Sequence, residues 1–343
     1  MTRDLDGLGA KLFIEAPDHV RGIGYRFGSL RNRITRGTFV IAAKAALLLV
    51  VLGYGGAYSW VLDGIGAFRL HLAAASAALL LVALSLRIWR STMIAFVAAL
   101  LAVAGLGPVL QDPISDTPAA GPEITLLYAN LYDKNAVPDA AAQALLGANA
   151  DILVTSETAE PIASALRAAY RHRVAAEDDP RTMRTAIWSR FPLSEGWLFL
   201  DNNVAPTGAA ALVTLEDGTE FHLTGVHFSR AIEGLRRVQA DALADIGGGR
   251  ARPRIVIGDF NAAPWSWTLA RAATTTGTRI LGGYRTTWSG TYPTPAGALP
   301  TLWGHNIDTM LYSDRIAVRA VETLTLPGSD HRILLVRVQI LPE

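Results

Sequence analysis

Cysteine is absent from the chain. No disulfide can brace the fold and no thiolate can hold a metal. The absence fits any compartment and selects none. Charge is scarce as well. Charged residues make up 18% of the sequence against 50% hydrophobic ones, and the mean hydropathy is +0.27. That is too apolar for one ordinary soluble domain, and the excess is unevenly spread. A general basic surplus is missing too. Residues 1–120 carry 11 Lys and Arg against 7 Asp and Glu, a net +4, and residues 121–343 carry 20 against 23, a net −3. Strong non-specific DNA binding rests on Lys and Arg that neutralise phosphates, so the long C-terminal part is not built as a basic body. No internal repeat is present, and the N-terminus lacks the short apolar stretch and small-residue cleavage site of a signal peptide.

What is present at the N-terminus is a basic tail followed by three apolar runs. Residues 1–37 contain Arg3, Lys11, Arg21, Arg26, Arg31, Arg33 and Arg36, with Gly22, Gly24 and Gly28 among them. They read as a solvated cytoplasmic tail or as a segment drawn to anionic lipid. Residues 38–112 form an expected transmembrane region, with runs at about 39–62, 68–86 and 93–110. Lys44 lies in the first run, while Arg69 and His71 open the second. The connection 62–67 holds Asp63 and no basic residue; the connection 87–92 holds Arg87 and Arg90. With the basic tail, this charge bias puts 1–37 and the second connection in the cytoplasm. Three crossings then make the remainder extracytoplasmic, at a multi-pass cell membrane; two crossings would reverse it. Residues 113–122, with Pro113, Pro118 and Pro122, read as a linker.

Residues 123–343 read as one globular domain, large enough for a sizeable core. Strand-like runs fall at 124–129, 152–155, 185–188, 209–215, 220–226, 255–257, 307–312, 317–324 and 333–340. Asp217-Gly218 marks a hairpin. Helices are expected at 140–146 with Asp139 as cap, at 161–169, at 232–246 ended by the glycines 247–249, and near 267–272. Hairpins mixed with crossovers predict an α/β fold of two mixed sheets packed face to face with helices outside.

The chain is organised around Ile255-Val256-Ile257-Gly258-Asp259-Phe260-Asn261-Ala262-Ala263-Pro264. A β-branched run breaks at Gly258 and delivers a carboxylate and a carboxamide two residues apart. Strand alternation would put Asp259 and Asn261 on one side. Other polar residues end strands in the same way. Asn130 follows Tyr128-Ala129, Glu157 follows Ile152-Leu153-Val154-Thr155-Ser156, and His227 follows Gly225-Val226. Asp308 sits between apolar neighbours and needs a buried partner, for which histidine is the natural choice. Asp330-His331 precedes the last strand. Glu157 and Asp330 are hard-oxygen ligands suited to Mg²⁺. Asp259 can orient or deprotonate a water with Asn261 beside it. His331, held by Asp308, can stabilise charge developing on phosphorus.

The ordered set Asn130, Ser156-Glu157, Arg184-Thr185-Ala186-Ile187-Trp188-Ser189-Arg190, Gly225-Val226-His227, Gly258-Asp259-Phe260-Asn261, Ile307-Asp308 and Ser329-Asp330-His331 resembles the endonuclease/exonuclease/phosphatase superfamily over residues 123–340. The resemblance implies a four-layered α/β sandwich and Mg²⁺- or Mn²⁺-dependent phosphoester hydrolysis. It implies Glu157 as main metal ligand with Asp330 near the metal and Asp259 positioning the nucleophilic water. Asn130, Asn261, His227 and His331 would surround the phosphate, with Asp308 paired to His331. Two positions depart from the apurinic-endonuclease branch: Tyr132 stands where that branch has an acid, and Ser156 replaces a glutamine. The family's membrane-associated bacterial members look nearer.

The expectation is therefore a membrane-anchored phosphoesterase acting on a phosphodiester or phosphomonoester, with the bilayer as a partner. Phospholipid and nucleic acid both stay open as substrate. An extracytoplasmic nuclease, favoured if Arg171, Arg173, Arg181 and Arg184 line the site, and a silent phospho-ligand-binding domain are the alternatives. The aromatic loop through Trp288, Tyr292 and Trp303 is expected over the site.

Overall fold

A computed structural model describes residues 18–115, 120–175, 185–199, 207–246, 252–301 and 304–342, with side chains from residue 33 onward except 198 and 199. The first part of the basic tail, Arg181, Arg184, the glycines 247–249 and Trp303 lie outside these residues.

The N-terminal region is helical. It contains α1 (Asp18–Leu52), α2 (Trp60–Ala67), α3 (Arg69–Ser85) and α4 (Trp89–Ala104). The first apolar run is not one helix to residue 62. It breaks at a 3-10 turn, Gly53–Ala57, and restarts as α2 behind the cap Ser59, whose hydroxyl accepts from Val61 N. Glycine is a poor helix former, and here it is also required by contact: a Cβ on Gly56 would lie 2.8 Å from both Asp63 Oδ1 and Trp267 Cβ. Residues 33–57 are long and apolar enough to cross a membrane; α2 and α3 meet that test only as a pair bent by 56°, and α4 is shorter. The second and third runs thus begin and end differently from the sequence expectation.

Packing among α1, α3 and α4 is inverted relative to a soluble bundle. Apart from Val50, Arg69 and Thr92, the buried positions are small: Ala43, Ala73, Ser76, Ala83, Ser91, Ala95, Ala98 and Ala102. The outward ones are large and apolar, including Leu48, Leu81, Met93, Phe96 and Leu100, all at least half exposed. In water this order would waste apolar burial; in lipid, small residues let helices approach closely.

The rest is a sandwich. Its strands are β1 (Glu123–Asn130), β2 (Ile152–Ser156), β3 (His172–Val174), β4 (Ala186–Ser189), β5 (Leu193–Phe199), β6 (Thr207–Thr214), β7 (Glu220–His227), β8 (Arg254–Asp259), β9 (Arg279–Ile280), β10 (Asp308–Tyr312), β11 (Ile316–Thr325) and β12 (Arg332–Ile340). They form two mixed six-stranded sheets, ordered β11-β12-β1-β2-β4-β3 and β5-β6-β7-β8-β10-β9. Helices α5 (Pro138–Gly147) and α6 (Glu160–Ala169) cover the first sheet, through a core of Leu127, Leu145, Leu153 and Ile162. Helices α7 (Arg236–Ala242) and α8 (Trp267–Thr276) cover the second, through Val226, Leu243, Val256 and Leu269. The layers are helix, sheet, sheet, helix, as expected for the α/β sandwich.

Two local expectations are corrected. Asp139 lies inside the first turn of α5, after Pro138, and no side chain caps that helix. The expected helix 232–246 is broken. Gly234 takes a left-handed φ of 72° between a 3-10 turn, Ala231–Glu233, and α7, a conformation that suits glycine and ends the helix.

Alternation along the strands sets the site. Ile124, Leu126 and Tyr128 of β1 face the gap between the sheets, as do Leu223 of β7, Ile255 and Ile257 of β8, and Met310 and Tyr312 of β10. Carried along the strands at the same period, those inward stripes end at Asn130, His227, Asp259 and Asp308. The register agrees: Asp259 pairs with both His227 and Asp308. The stripe tolerates no bulk beside it. A Cβ on Gly258 would sit 2.0 Å from the Val226 carbonyl oxygen, backbone that cannot rotate away. Gly258→Ala is expected to destabilise the fold by at least about 2 kcal/mol, read as a fall of roughly 5 °C or more in the unfolding midpoint. An unchanged midpoint would contradict this packing.

Candidate active site

The polar stripe ends meet in one cluster. Asn130 Nδ2 donates to Glu157 Oε1 at 2.9 Å and lies 3.4 Å from Asp259 Oδ2. His227 Nε2 is 3.3 Å from Glu157 Oε1 and 3.7 Å from Asp259 Oδ2. His331 Nδ1 faces Asp308 Oδ2 at 2.9 Å, and its Nε2 is 3.9 Å from Asp259 Oδ2. Ser329 holds the approach to His331: its hydroxyl donates to the Asn130 carbonyl at 2.8 Å and accepts from His331 N at 3.0 Å. Asp330 is oriented by Trp288, whose indole N–H donates to Oδ2 at 2.8 Å. Glu157 and Asp330 line, with Asn130, His227, Asp259 and His331, a cavity of about 1010 Å³.

Backbone strain collects here. Tyr132, Glu157 and Asn261 have φ of 58°, 55° and 47°, values that cost a non-glycine residue free energy and are held only where neighbours fix them. Asn261 departs from the alternation expected for it. β8 stops at Asp259, and the left-handed turn leaves Asn261 N donating to Asp259 Oδ1 at 2.7 Å and its side-chain amide donating to Phe228 O at 2.8 Å. Asn261 lines the cavity, while its amide is engaged by the backbone of the preceding crossover.

The charges are set apart by environment. Burial would raise the Glu157 carboxyl, but hydrogen bonds and charge from His227, with Asn130, hold it down at about 2. Asp259 moves the other way: burial, with Asp308 nearby, lifts it to about 6. Burial opposes a charge on His331, yet Asp308, with Asp259 behind it, raises that imidazole to about 10. His227 is raised against its burial by Glu157 and Asp259. The site therefore holds an ionised Glu157, a cationic His331 and an Asp259 poised near neutrality, a division of labour found where acid–base chemistry is done.

Asp259, Asp308 and His331 also bring ligand atoms within 4.8 Å of one another. Within this trio the imidazole and Asp308 already face each other at 2.9 Å, so it also forms a paired imidazole facing the Asp259 carboxylate. The carboxylates of Glu157 and Asp330, at the same cavity, present the hard oxygens that Mg²⁺ or Mn²⁺ takes.

The sequence profile of the endonuclease/exonuclease/phosphatase family matches residues 127–331. The chain belongs to this family. Among solved structures it is similar to an endonuclease/exonuclease/phosphatase family protein from Bacteroides thetaiotaomicron, at 15% identity over 65% of this chain and 100% of that one, with a TM-score of 0.49. It is also similar to the human Nocturnin catalytic domain with bound sulfate, at 20% identity over 65% and 96%, TM-score 0.48. Sphingomyelinase C from Streptomyces griseocarneus gives 14% identity over 63% and 99%, TM-score 0.46. No curated protein matches the chain.

As an endonuclease/exonuclease/phosphatase family member, the chain has more at its site than the sequence motifs named. Tyr128, fully buried behind the cluster, donates from its hydroxyl to Ser156 Oγ at 3.2 Å; burial, with Asp259 and Asp308 near, pushes its ionisation well up. It therefore stays neutral. Trp288, from the aromatic loop expected over the site, lines the cavity and also holds Asp330. Unforeseen altogether is α2, from which Trp60, Val61, Gly64 and Ile65 line the cavity. Nothing local in the sequence marks it except Ser59 before an apolar turn and a lone acid, Asp63, within it. Of the arginines expected for a nuclease, Arg171 and Arg173 are not among those lining the cavity.

Proposed function

We propose that the chain is a membrane-anchored, divalent-metal-dependent phosphoesterase. It hydrolyses a phosphodiester or phosphomonoester by attack of an activated water. The convergence of Asn130, Glu157, His227, Asp259, Asp308 and His331 on one cavity supports this reading. A Mg²⁺ or Mn²⁺ held by Glu157 and Asp330 would supply Lewis-acid polarisation of a phosphoryl oxygen. The protein's own groups do the rest. Asp259, ionised above about pH 6, takes a proton from the attacking water. Asn130 and His227 hold the phosphoryl oxygens. His331, kept cationic by Asp308, faces the charge that develops on them. Water oxygen bonds to phosphorus, the ester P–O bond breaks, and the leaving oxygen takes up a proton from solvent while Asp259 returns the proton it accepted, so that the net change is the addition of one water.

The full chain in detergent is expected to cleave bis-p-nitrophenyl phosphate with Mg²⁺ or Mn²⁺. Chelation should lower the rate by at least about a hundredfold, and added metal should restore it. Undiminished cleavage in chelator would remove the metal from the reading.

Sidedness belongs to the same proposal. The Arg69 guanidinium donates to Gly53 O, Gly105 O and Trp265 O at 3.0 to 3.1 Å. The end of α1, the start of α3 and the end of α4 thus share one end of the bundle with the sandwich. Arg87 and Arg90 lie at the α3–α4 turn. This arrangement supports three crossings with the sandwich opposite the basic tail. Because the chain lacks cysteine, single cysteines report cleanly. One at exposed Glu216 should react with an impermeant maleimide on intact cells, and one at Arg87 should not. The reverse pattern would overturn the orientation.

A further inference from the structure

The cavity over the site is polar on one side and apolar on the other, and the apolar side comes from outside the sandwich. Trp60, Val61 and Ile65 of α2 line it, with Phe68 at the end of that helix. Ile232 joins them from the turn Ala231–Glu233, which packs against α2. These are not core residues. Trp60, Val61 and Phe68 are 42%, 46% and 47% exposed, and Ile232 is 75% exposed. Across the same space stand Asn130, Glu157, His227, Asp259 and His331, nearly all buried. At about 1010 Å³ the cavity is at the upper end of what a whole small-molecule ligand occupies, far more than a phosphoryl group fills.

The wall is fixed in place. Trp265, four residues after Asn261, donates its indole N–H to Gly66 O at 2.8 Å. The Phe68 ring packs edge-on against His305 with centroids 4.8 Å apart. The wall is also continuous in chain with the apolar belt: α1 ends just before it and α3 begins just after it, both with large apolar side chains turned outward. Exposed Arg230 and Lys134 line the same cavity and offer cations to an anionic group entering it.

We propose that α2 and Ile232 form the subsite for the apolar chain of an amphiphilic phosphoester. Its phosphoryl group lies at Asn130, His227 and His331, and its chain runs along Trp60, Val61, Ile65 and Phe68 toward the bilayer. The proposal rests on the phosphoesterase reading for what happens at phosphorus, but the apolar wall is an observation of its own. On this view the N-terminal helices complete the active site as well as anchoring it. Soluble phosphoesters fill only the polar half.

The test uses the full chain in detergent and two photoreactive probes. One is dodecylphosphonate with a diazirine in mid-chain, which the enzyme cannot hydrolyse. The other is dodecanol with the same diazirine. Labelled peptides are mapped by mass spectrometry. Residues 60–68 are expected to be labelled several-fold more by the phosphonate than by the alcohol, whereas the outward faces of α1, α3 and α4 take both alike. Equal labelling of 60–68 by the two probes, or phosphonate labelling confined to the outward faces, overturns the proposal. In parallel, kcat/KM is compared for methyl and dodecyl p-nitrophenyl phosphate, with preference for the dodecyl ester expected. Turnover of the methyl ester without phosphonate-dependent labelling of 60–68 keeps the phosphoesterase reading and removes this one. Such labelling without turnover of either ester does the reverse.

Discussion

In His331→Ala, kcat/KM on bis-p-nitrophenyl phosphate is expected to fall about a thousandfold, the range of a lost proton-transfer or charge-stabilising group. The expectation follows from where the imidazole is held. Its Nδ1 is 2.9 Å from a buried Asp308, and the acids around it keep it cationic up to about pH 10. A buried positive charge facing the phosphoryl position is worth most when charge builds there, so the loss should appear mainly in kcat. Asp308→Asn leaves the ring in place but withdraws the partner that keeps it charged, and a smaller loss in the same direction is expected. Asp259→Asn should match His331→Ala in size. With Asp259 ionised only above about pH 6, the wild-type rate should fall as pH drops through 6, because the protonated carboxyl cannot accept from water. A His331→Ala chain that kept a tenth or more of wild-type kcat/KM, with an unchanged unfolding midpoint, would take His331 out of the chemistry.

These positions were legible in the sequence because a strand has period two. Once the strand ending at Asp259 is seen, its inward stripe is known, and a polar residue at the stripe's end has little else to do than face the space between the sheets. The ends of strand-like runs likewise marked Asn130 and His227, whereas Asp308 stood out as an acid between apolar neighbours that needs a partner. The period-two rule failed for Asn261, since the strand stops two residues earlier and a left-handed residue turns the chain. The helix expected at 232–246 is broken for a different reason, since a single glycine's φ decides the break. The larger omission was α2. Residues 62–67 read as a bare connection between apolar runs, yet they belong to a helix whose partners, Arg236 and Trp267, lie some two hundred positions on. Composition is nearly uniform across the break, so hydropathy could not show it. The available signals were Ser59 before the apolar turn and the lone acid Asp63 within it, which the structure buries. A buried carboxylate implies a partner, and the partner had to come from the sandwich.

Asp63→Ala is accordingly expected to cost about 3–5 kcal/mol, the effect of leaving one member of a buried ion pair alone. Asp63 Oδ1 accepts from Trp267 N at 2.8 Å and Oδ2 from the Thr268 hydroxyl at 2.6 Å, so it ties down the first turn of α8, which Ser266 caps, from outside that helix. Arg236 Nη2 approaches Oδ2 at 3.5 Å, and both side chains are at most 4% exposed. Arg236 Nη1 in turn donates to the Asn261 carbonyl, next to the amide that binds Asp259. Removing Asp63 strands the guanidinium, leaves Trp267 N and the Thr268 hydroxyl without their acceptor and loosens the loop that carries Asp259, so stability and activity should fall together. Asp63→Asn keeps the shape and an acceptor for Trp267 N but no charge, and should fall between. The decisive comparison is Asp63→Leu with Arg236→Leu in one chain. Apolar pairs of similar volume commonly replace buried ion pairs without loss, so the unfolding midpoint should recover most of the way. Activity should not, because Asn261 O has lost its donor. Recovery of both would reduce the pair to packing, and an Asp63→Ala midpoint within a degree of wild type would mean that α2 is not held to the sandwich through this carboxylate.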